Sequence, residues 1–412
     1  MKPSPNGEGW AARYPELGTG PVPVEPNVSA EYFERERERI FKRSWLGVGR
    51  VNEVPQAGDY FVKELALLKT SIIVVRGKDG VIRGFHNVCR HRGNKLAQTC
   101  SGQARSFVCG FHGWTYDLTG CNVRVPDEEQ FYNLDKSEYG LIPVATDVWE
   151  GFVFVNVDPH PAESLREFIG ELFEQFSGYP FDGMRPAGSY SALVNVNWKI
   201  FMEIFQECYH VAYIHQRSVS EIGTGKDNPF GHLLSVKLYR RHRSASVYYN
   251  PEHQPTAAER LAFKYGPTIL QGTEAGDRMP KGINPEKSPK WGFDINVIFP
   301  NLIIDLANGS YWTQTFWPIT VDRTVWEVRL YMDPAKNAGE KISQEFSKVL
   351  MRDAFREDLS RLENIQANMA SGVLIHTPLS DQEIVVRHAY QVIEDFVGSG
   401  LPPAQAIKGG VD

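Results

Sequence analysis

The sequence predicts an α+β chain, with an all-β part ahead of a larger part that mixes helices with strands. Three observations carry this. The chain has 412 residues, more than one hydrophobic core usually organises. From Asp59 to Val157 the apolar runs are short, β-branched or aromatic, and separated by turn residues. Beyond Asp158-Pro159-His160-Pro161, segments long enough for helices alternate with strand-like runs. The expected division is an arm and helix over 1–44, a β domain over 45–160 and a larger domain over 161–412.

Residues 1–28 are rich in Pro and Gly and read as an arm without its own core. Ser29 can cap a helix running through Tyr32-Phe33 to Ile40-Phe41. Tyr60-Phe61-Val62 and Ile72-Ile73-Val74-Val75 read as strands, with Gly77-Lys78-Asp79-Gly80 as a turn before Val81-Ile82. Residues 151–157 form another strand, which the two prolines at 159 and 161 end. In the second half, 192–196 is strand-like, and 198–215 lacks Gly and Pro and reads as one helix. Residues 216–290 read as polar with long loops. Strand-like runs follow at 295–299, 311–317 and 326–332. Ile342, Phe346, Val349 and Leu350 then recur at helical spacing and mark an apolar helix face.

The net charge of −6 is mild and gives no support to general nucleic-acid binding. No apolar stretch is long enough to span a bilayer, and Met1-Lys2-Pro3-Ser4-Pro5-Asn6 lacks the apolar core of a signal peptide. Five cysteines are few and odd in number, which suits a reducing cytoplasm, with Cys100, Cys121 and Cys208 as free thiols.

Two runs carry most of the chemistry: Cys89-Arg90-His91-Arg92-Gly93 and Cys109-Gly110-Phe111-His112-Gly113-Trp114. Each offers one thiolate and one imidazole. A [2Fe–2S] centre with two Cys on one iron and two His on the other needs this kit, and the imidazoles raise its potential. Structural zinc could use the same four side chains, although zinc pairs usually come as Cys with Cys and His with His. A Cys89–Cys109 disulfide is a third option.

A second constellation lies in Glu207-Cys208-Tyr209-His210-Val211-Ala212-Tyr213-Ile214-His215. Two His five apart do not stack on one face of a straight helix. A bulge or helix end near Ala212 would let the rings converge. Two His and one carboxylate on one face of an iron leave positions open for O₂. A carboxylate is available within Arg356-Glu357-Asp358-Leu359-Ser360-Arg361-Leu362-Glu363.

With both runs in view, the chain from about residue 30 to 390 resembles the catalytic alpha subunits of Rieske non-heme iron oxygenases, also called ring-hydroxylating oxygenases. The resemblance implies an N-terminal all-β Rieske domain, inserted in or preceding a helix-plus-antiparallel-sheet (START-like) catalytic domain. It implies that Cys89, His91, Cys109 and His112 bind the [2Fe–2S] cluster and that His210, His215 and Asp358 bind Fe(II), with Glu357 and Glu363 as fallback ligands. By position, Glu207 would bridge His112 of the partner subunit to His210; most of the family has Asp there. Glu-Cys-Tyr-His looks like the subgroup of carnitine and glycine betaine monooxygenases. Ile204 departs from the Asn that many relatives carry.

The activity implied is O₂- and reductant-dependent hydroxylation of an aromatic or other apolar small molecule, by mono- or dioxygenation or oxidative demethylation. A quaternary ammonium compound is the alternative substrate. The non-enzyme alternative is a Rieske electron carrier without catalytic iron. Electrons would come from NAD(P)H through a reductase and in some systems a ferredoxin. The bridge implies an oligomer, expected as a homotrimer, with a small second subunit not excluded. Phe201, Phe205, Val211, Leu306 and Trp312 are candidate pocket residues, although core packing is the stronger reading of any one of them. Tyr239-Arg240-Arg241-His242-Arg243 reads as a solvated basic strand face or an anion or ferredoxin site.

Overall fold

In the computed structural model, residues 9–266 and 279–398 are described. The chain divides into two compact units: residues 37–168 form one, and 9–36 join 169–398 in the other. The smaller unit is thus an insertion into the larger.

The strands of the smaller unit all pair antiparallel. A seven-stranded sheet runs in the order β1-β10-β9-β4-β3-β2-β5. Its strands are β1 (Leu46–Arg50), β2 (Asp59–Leu65), β3 (Thr70–Arg76), β4 (Ile82–His86), β5 (Ser101–Gln103), β9 (Pro143–Trp149) and β10 (Phe152–Asn156). A second sheet joins β6 (Phe107–Val108), β7 (Thr115–Tyr116) and β8 (Asn122–Arg124). The predicted turn closes with Gly80 N–H donating to Gly77 O at 3.0 Å, and Gly80 takes φ +82°. The core packs Ile73, Val75 and Phe85 against Trp114 and Tyr116, and Cys89 and Cys109 belong to it.

In the larger unit, Ser29 caps α1 (Ala30–Glu36): its Oγ accepts from Tyr32 N–H at 3.1 Å. Beyond Glu36 the chain continues as a π-helical turn, Arg37–Phe41, already in the smaller unit. The larger unit's seven-stranded antiparallel sheet has the order β11-β17-β16-β15-β14-β13-β12. Its strands are β11 (Arg185–Val194), β12 (Ser235–Leu238), β13 (Arg243–Tyr248), β14 (Trp291–Ile298), β15 (Leu302–Ala307), β16 (Ser310–Thr320) and β17 (Arg323–Met332). β15 was missing from the predicted strands. It is apolar on both faces apart from Asp305, so it lacks the alternation that marks a half-buried strand.

Residues 198–215 are not one helix. α2 (Trp198–Glu203) ends early, a turn runs to His210, and α3 (Val211–Ile214) is one short turn. No Gly or Pro announces the break. Tertiary contacts hold it: Phe205 stacks on Trp326 with centroids 5.4 Å apart, and Gln206 accepts from Arg243 Nε at 2.5 Å. Asn197 caps α2, and a buried Lys199–Glu36 ion pair at 2.6 Å ties α1 to it.

α4 (Ala338–Ala370) exists as predicted but buries a different face. Ile342 and Val349 remain 49% and 45% exposed. The buried row is Ser343, Ser347, Met351, Ala354, Phe355, Asp358, Leu362 and Gln366. Small side chains line its first half because helix Ala257–Tyr265 packs closely there, and Ser343 Oγ donates to Gly266 O at 3.2 Å. α5 (Ile384–Gly398) completes the described residues. Arg241, His242 and Arg243 are buried, so the predicted solvated basic face does not form.

Candidate metal centres

The two cluster loops share one backbone design. In the first, Cys89 N–H donates to Asn94 O at 2.8 Å and Gly93 N–H to Cys89 O at 2.9 Å. In the second, Cys109 N–H donates to Trp114 O at 2.8 Å and Gly113 N–H to Cys109 O at 2.9 Å. Gly93 (φ +76°) and Gly113 (φ +71°) take the left-handed conformation each turn requires. The Asn87 side chain clamps the first loop through Leu96 N–H, Ala97 N–H and Ala97 O, all at 2.9 Å.

These turns bring together all four predicted donors. Cys89 and Cys109 are buried, His112 is exposed, and the His91 and His112 rings lie 4.6 Å apart. The two thiols therefore lie in the core, while the His112 ring reaches the surface. His91 stacks on Trp114 at 5.0 Å and 7°. Its Nδ1 is buried with no hydrogen-bond partner, as a lone pair reserved for a metal would be. Tyr116 OH lies 3.3 Å from Cys89 Sγ, and Asn94 Nδ2 donates to Cys109 Sγ at 3.7 Å. Burial pushes the Cys89 thiol up. Burial acts the same way on Cys109, but the N–H groups of Phe111 and His112 outweigh it and hold that thiol below its usual range. All five cysteines are free, so no Cys89–Cys109 disulfide forms.

In the larger unit the helix break does what the spacing demanded, but upstream of Ala212. His210 and His215 flank α3 as its two caps, with rings 5.2 Å apart. Glu207 shapes the turn: its Oε2 accepts from Tyr209 N–H, and its Oε1 meets His210 Nδ1 at 2.5 Å. His215 Nδ1 meets Glu357 Oε2 at 3.0 Å, and Ser218 Oγ donates to the same oxygen. Glu357 thus stands behind a histidine rather than beside the donor group, a role the sequence did not signal. Glu363 is elsewhere, accepting from Asn195.

Asp358 projects from the buried row of α4. Its Oδ1 lies 3.1 Å from His215 Nε2 and 3.5 Å from His210 Nε2, yet makes no hydrogen bond. In each neutral ring whose Nδ1 donates to its glutamate, Nε2 presents a lone pair. Two lone pairs and a carboxylate oxygen converging in a buried site repel one another unless a cation lies among them. The donor atoms of His210, His215 and Asp358 all fall within 4.8 Å of one another. Burial opposes charge on His210, but Glu207 outweighs it and lifts the imidazole above its ordinary range.

Beside these residues opens a cavity of about 750 Å³ including its mouth. Phe205, Val211 and Trp312 line it as predicted, and so does Ile204. Phe201 instead packs on Phe316 and Trp326, and Leu306 lies in the core. Asp305 and Gln314 also line the cavity, and neither was singled out from the sequence. A lone acid inside Leu302-Ile303-Ile304-Asp305-Leu306-Ala307 was the available signal.

The chain matches two family models. Residues 44–144 match the model of the Rieske [2Fe-2S] domain. Residues 181–399 match that of the ring hydroxylating alpha subunit (catalytic domain). The chain is similar to the 2-aminobenzenesulfonate 2,3-dioxygenase subunit alpha of an Alcaligenes species, 31% identical over 73% of this chain and 71% of the relative. It is also similar to the carnitine monooxygenase oxygenase subunit of Acinetobacter pittii, 26% identical over 84% of each. In fold it resembles the naphthalene 1,2-dioxygenase of a Rhodococcus species (TM-score 0.75, 23% identical, covering 96% of this chain and 97% of the other). A quaternary ammonium Rieske monooxygenase is comparably near in fold (TM-score 0.73, 19% identical, covering 93% and 97%).

Proposed function

This chain belongs to the ring-hydroxylating alpha-subunit family of Rieske oxygenases, and on that premise we propose that His210, His215 and Asp358 hold its catalytic iron while Cys89, His91, Cys109 and His112 hold its [2Fe–2S] cluster. The protein is a terminal oxygenase component, an oxidoreductase that incorporates O₂ with electrons delivered by a partner protein. The electron-carrier reading without catalytic iron is set aside, because the catalytic domain is present. When bound, the cluster stores reducing equivalents and the mononuclear iron activates O₂.

The observation that carries the ligand assignment is the unpartnered Asp358 Oδ1 between two Nε2 atoms. Glu207 and Glu357 accept from the outer nitrogens and fix both tautomers. The cavity's apolar walls exclude water and accept a small organic body. An aromatic or other apolar substrate is the main reading, supported by Phe205, Phe293, Trp312 and Phe355 in those walls. A quaternary ammonium substrate is the second, supported by the Glu207 subgroup signature and the carnitine monooxygenase relative.

Glu207 is the electron bridge in this reading, linking His210 to His112 of the partner subunit within a homotrimer. The exposed His112, flanked by Phe111 at 56% exposure, suits such a docking face. Electrons reach the cluster from NAD(P)H through a reductase, with or without a ferredoxin. The compartment is the cytoplasm; among the described residues no helix is long and apolar enough to cross a membrane.

Metal analysis with EPR tests the assignment. Iron and labile sulfide should both be present, with a Rieske-type spectrum and a separate mononuclear iron. A colourless zinc protein would overturn it. Glu207→Gln should retain both metals and slow electron transfer between subunits; wild-type transfer rates would remove Glu207 from the path.

A further inference from the structure

We propose that Asp305 is the specificity residue of the cavity and that it selects a cationic nitrogen, protonated or quaternary, on an otherwise apolar substrate. This rests on the oxygenase reading and sharpens its substrate class. On β15, alternation sends Asp305 to the face opposite Leu306. The register sets Asp305 across from Ile295 on β14 and Trp312 on β16, and all three line the cavity. The carboxyl is 1% exposed.

Its hydrogen bonding is directional. Trp326 Nε1–H can only donate, and it gives its hydrogen to Gln314 Oε1 at 3.2 Å. That orients the Gln314 amide, whose Nε2 then donates to Asp305 Oδ2 at 2.9 Å. Gln314 is the carboxyl's one hydrogen-bond partner among the described residues, which leaves Oδ1 for a ligand. No Lys or Arg lines the cavity among those residues, so no cationic side chain there pairs with Asp305.

A buried carboxylate without a counter-ion is costly, and burial accordingly holds Asp305 well above the usual carboxylate range. A ligand that brings its own positive charge removes that penalty. The rings of Trp312 and Phe293, 5.1 Å apart and tilted by 48°, add faces suited to an alkylated ammonium. An anion seated beside Asp305 would instead meet its carboxylate.

The test is anaerobic calorimetry on the metal-loaded full chain with three probes of one shape. These are choline, its uncharged isostere with a tert-butyl group in place of trimethylammonium, and the matching carboxylate. Choline should bind at least about tenfold more tightly than the neutral isostere, and the carboxylate most weakly. Asp305→Asn should bring choline to within about twofold of the isostere, while isostere affinity and melting temperature hold. Equal wild-type binding of choline and isostere, no choline binding, tightest binding of the carboxylate, or an unchanged ratio in Asp305→Asn would overturn the proposal. The wild-type series decides alone if the variant does not fold. Missing mononuclear iron or O₂ uptake would sink the oxygenase reading instead and leave the binding ratios intact.

Discussion

The proposed cluster donors lie between positions 89 and 112, while the proposed mononuclear donors span positions 210 to 358. In the first region, two loops with matching hydrogen bonds and left-handed glycines place every donor; the backbone supplies the geometry. In the second, two histidines cap one turn of helix, and the third donor arrives on a 33-residue helix from the far end of the sequence. Side chains supply that geometry, through Glu207 and Glu357. The contrast teaches that a site built by local turns tolerates distant change, and that a site assembled from separate elements depends on its supporting carboxylates.

Asp358→Ala tests the contrast most severely. It should abolish turnover and remove the mononuclear iron, while the cluster's EPR spectrum stays unchanged. Loss of the cluster signal would show that the two regions are not independent. Glu357→Gln comes next, because it weakens the hold on His215 without touching the donor group. Iron affinity or turnover should fall about 10–100-fold, read by chelator competition and O₂ uptake. Gly93→Ala should act on the backbone design: the position has open space but a left-handed φ, so the loss is strain of about 1–2 kcal/mol in chemical denaturation. Equal stability would mean that the turn does not hold the loop. The smallest effect belongs to Tyr116→Phe. Losing about 1 kcal/mol of hydrogen bond to Cys89 Sγ should lower the cluster potential by about 40 mV in a redox titration.

The same contrast explains what could be read from sequence. The cluster loops were legible because donors, glycines and spacing all lie in two short runs. His210, His215 and Asp358 were legible through motif resemblance; spacing alone required a helix break and located it too late. The break at Ile204–His210 is invisible locally, since stacking on Trp326 and the Arg243–Gln206 bond create it from outside. On α4, large apolar residues suggested one buried face, whereas the close approach of helix Ala257–Tyr265 selected the serines. β15 and Asp305 escaped because a strand buried on both sides has no period to detect.

The insertion of residues 37–168 into the larger unit has a consequence for biosynthesis. During translation the whole β-rich unit leaves the ribosome while its host has produced only α1 and the segment ahead of it. The smaller unit can therefore close, and offer its thiols to iron–sulfur assembly, before the strands and helices that receive the second metal exist. Glu36, the last residue before the insertion, must then wait for Lys199 to emerge before its buried charge is matched. Synthesis thus completes the proposed cluster ligands before the proposed iron ligands.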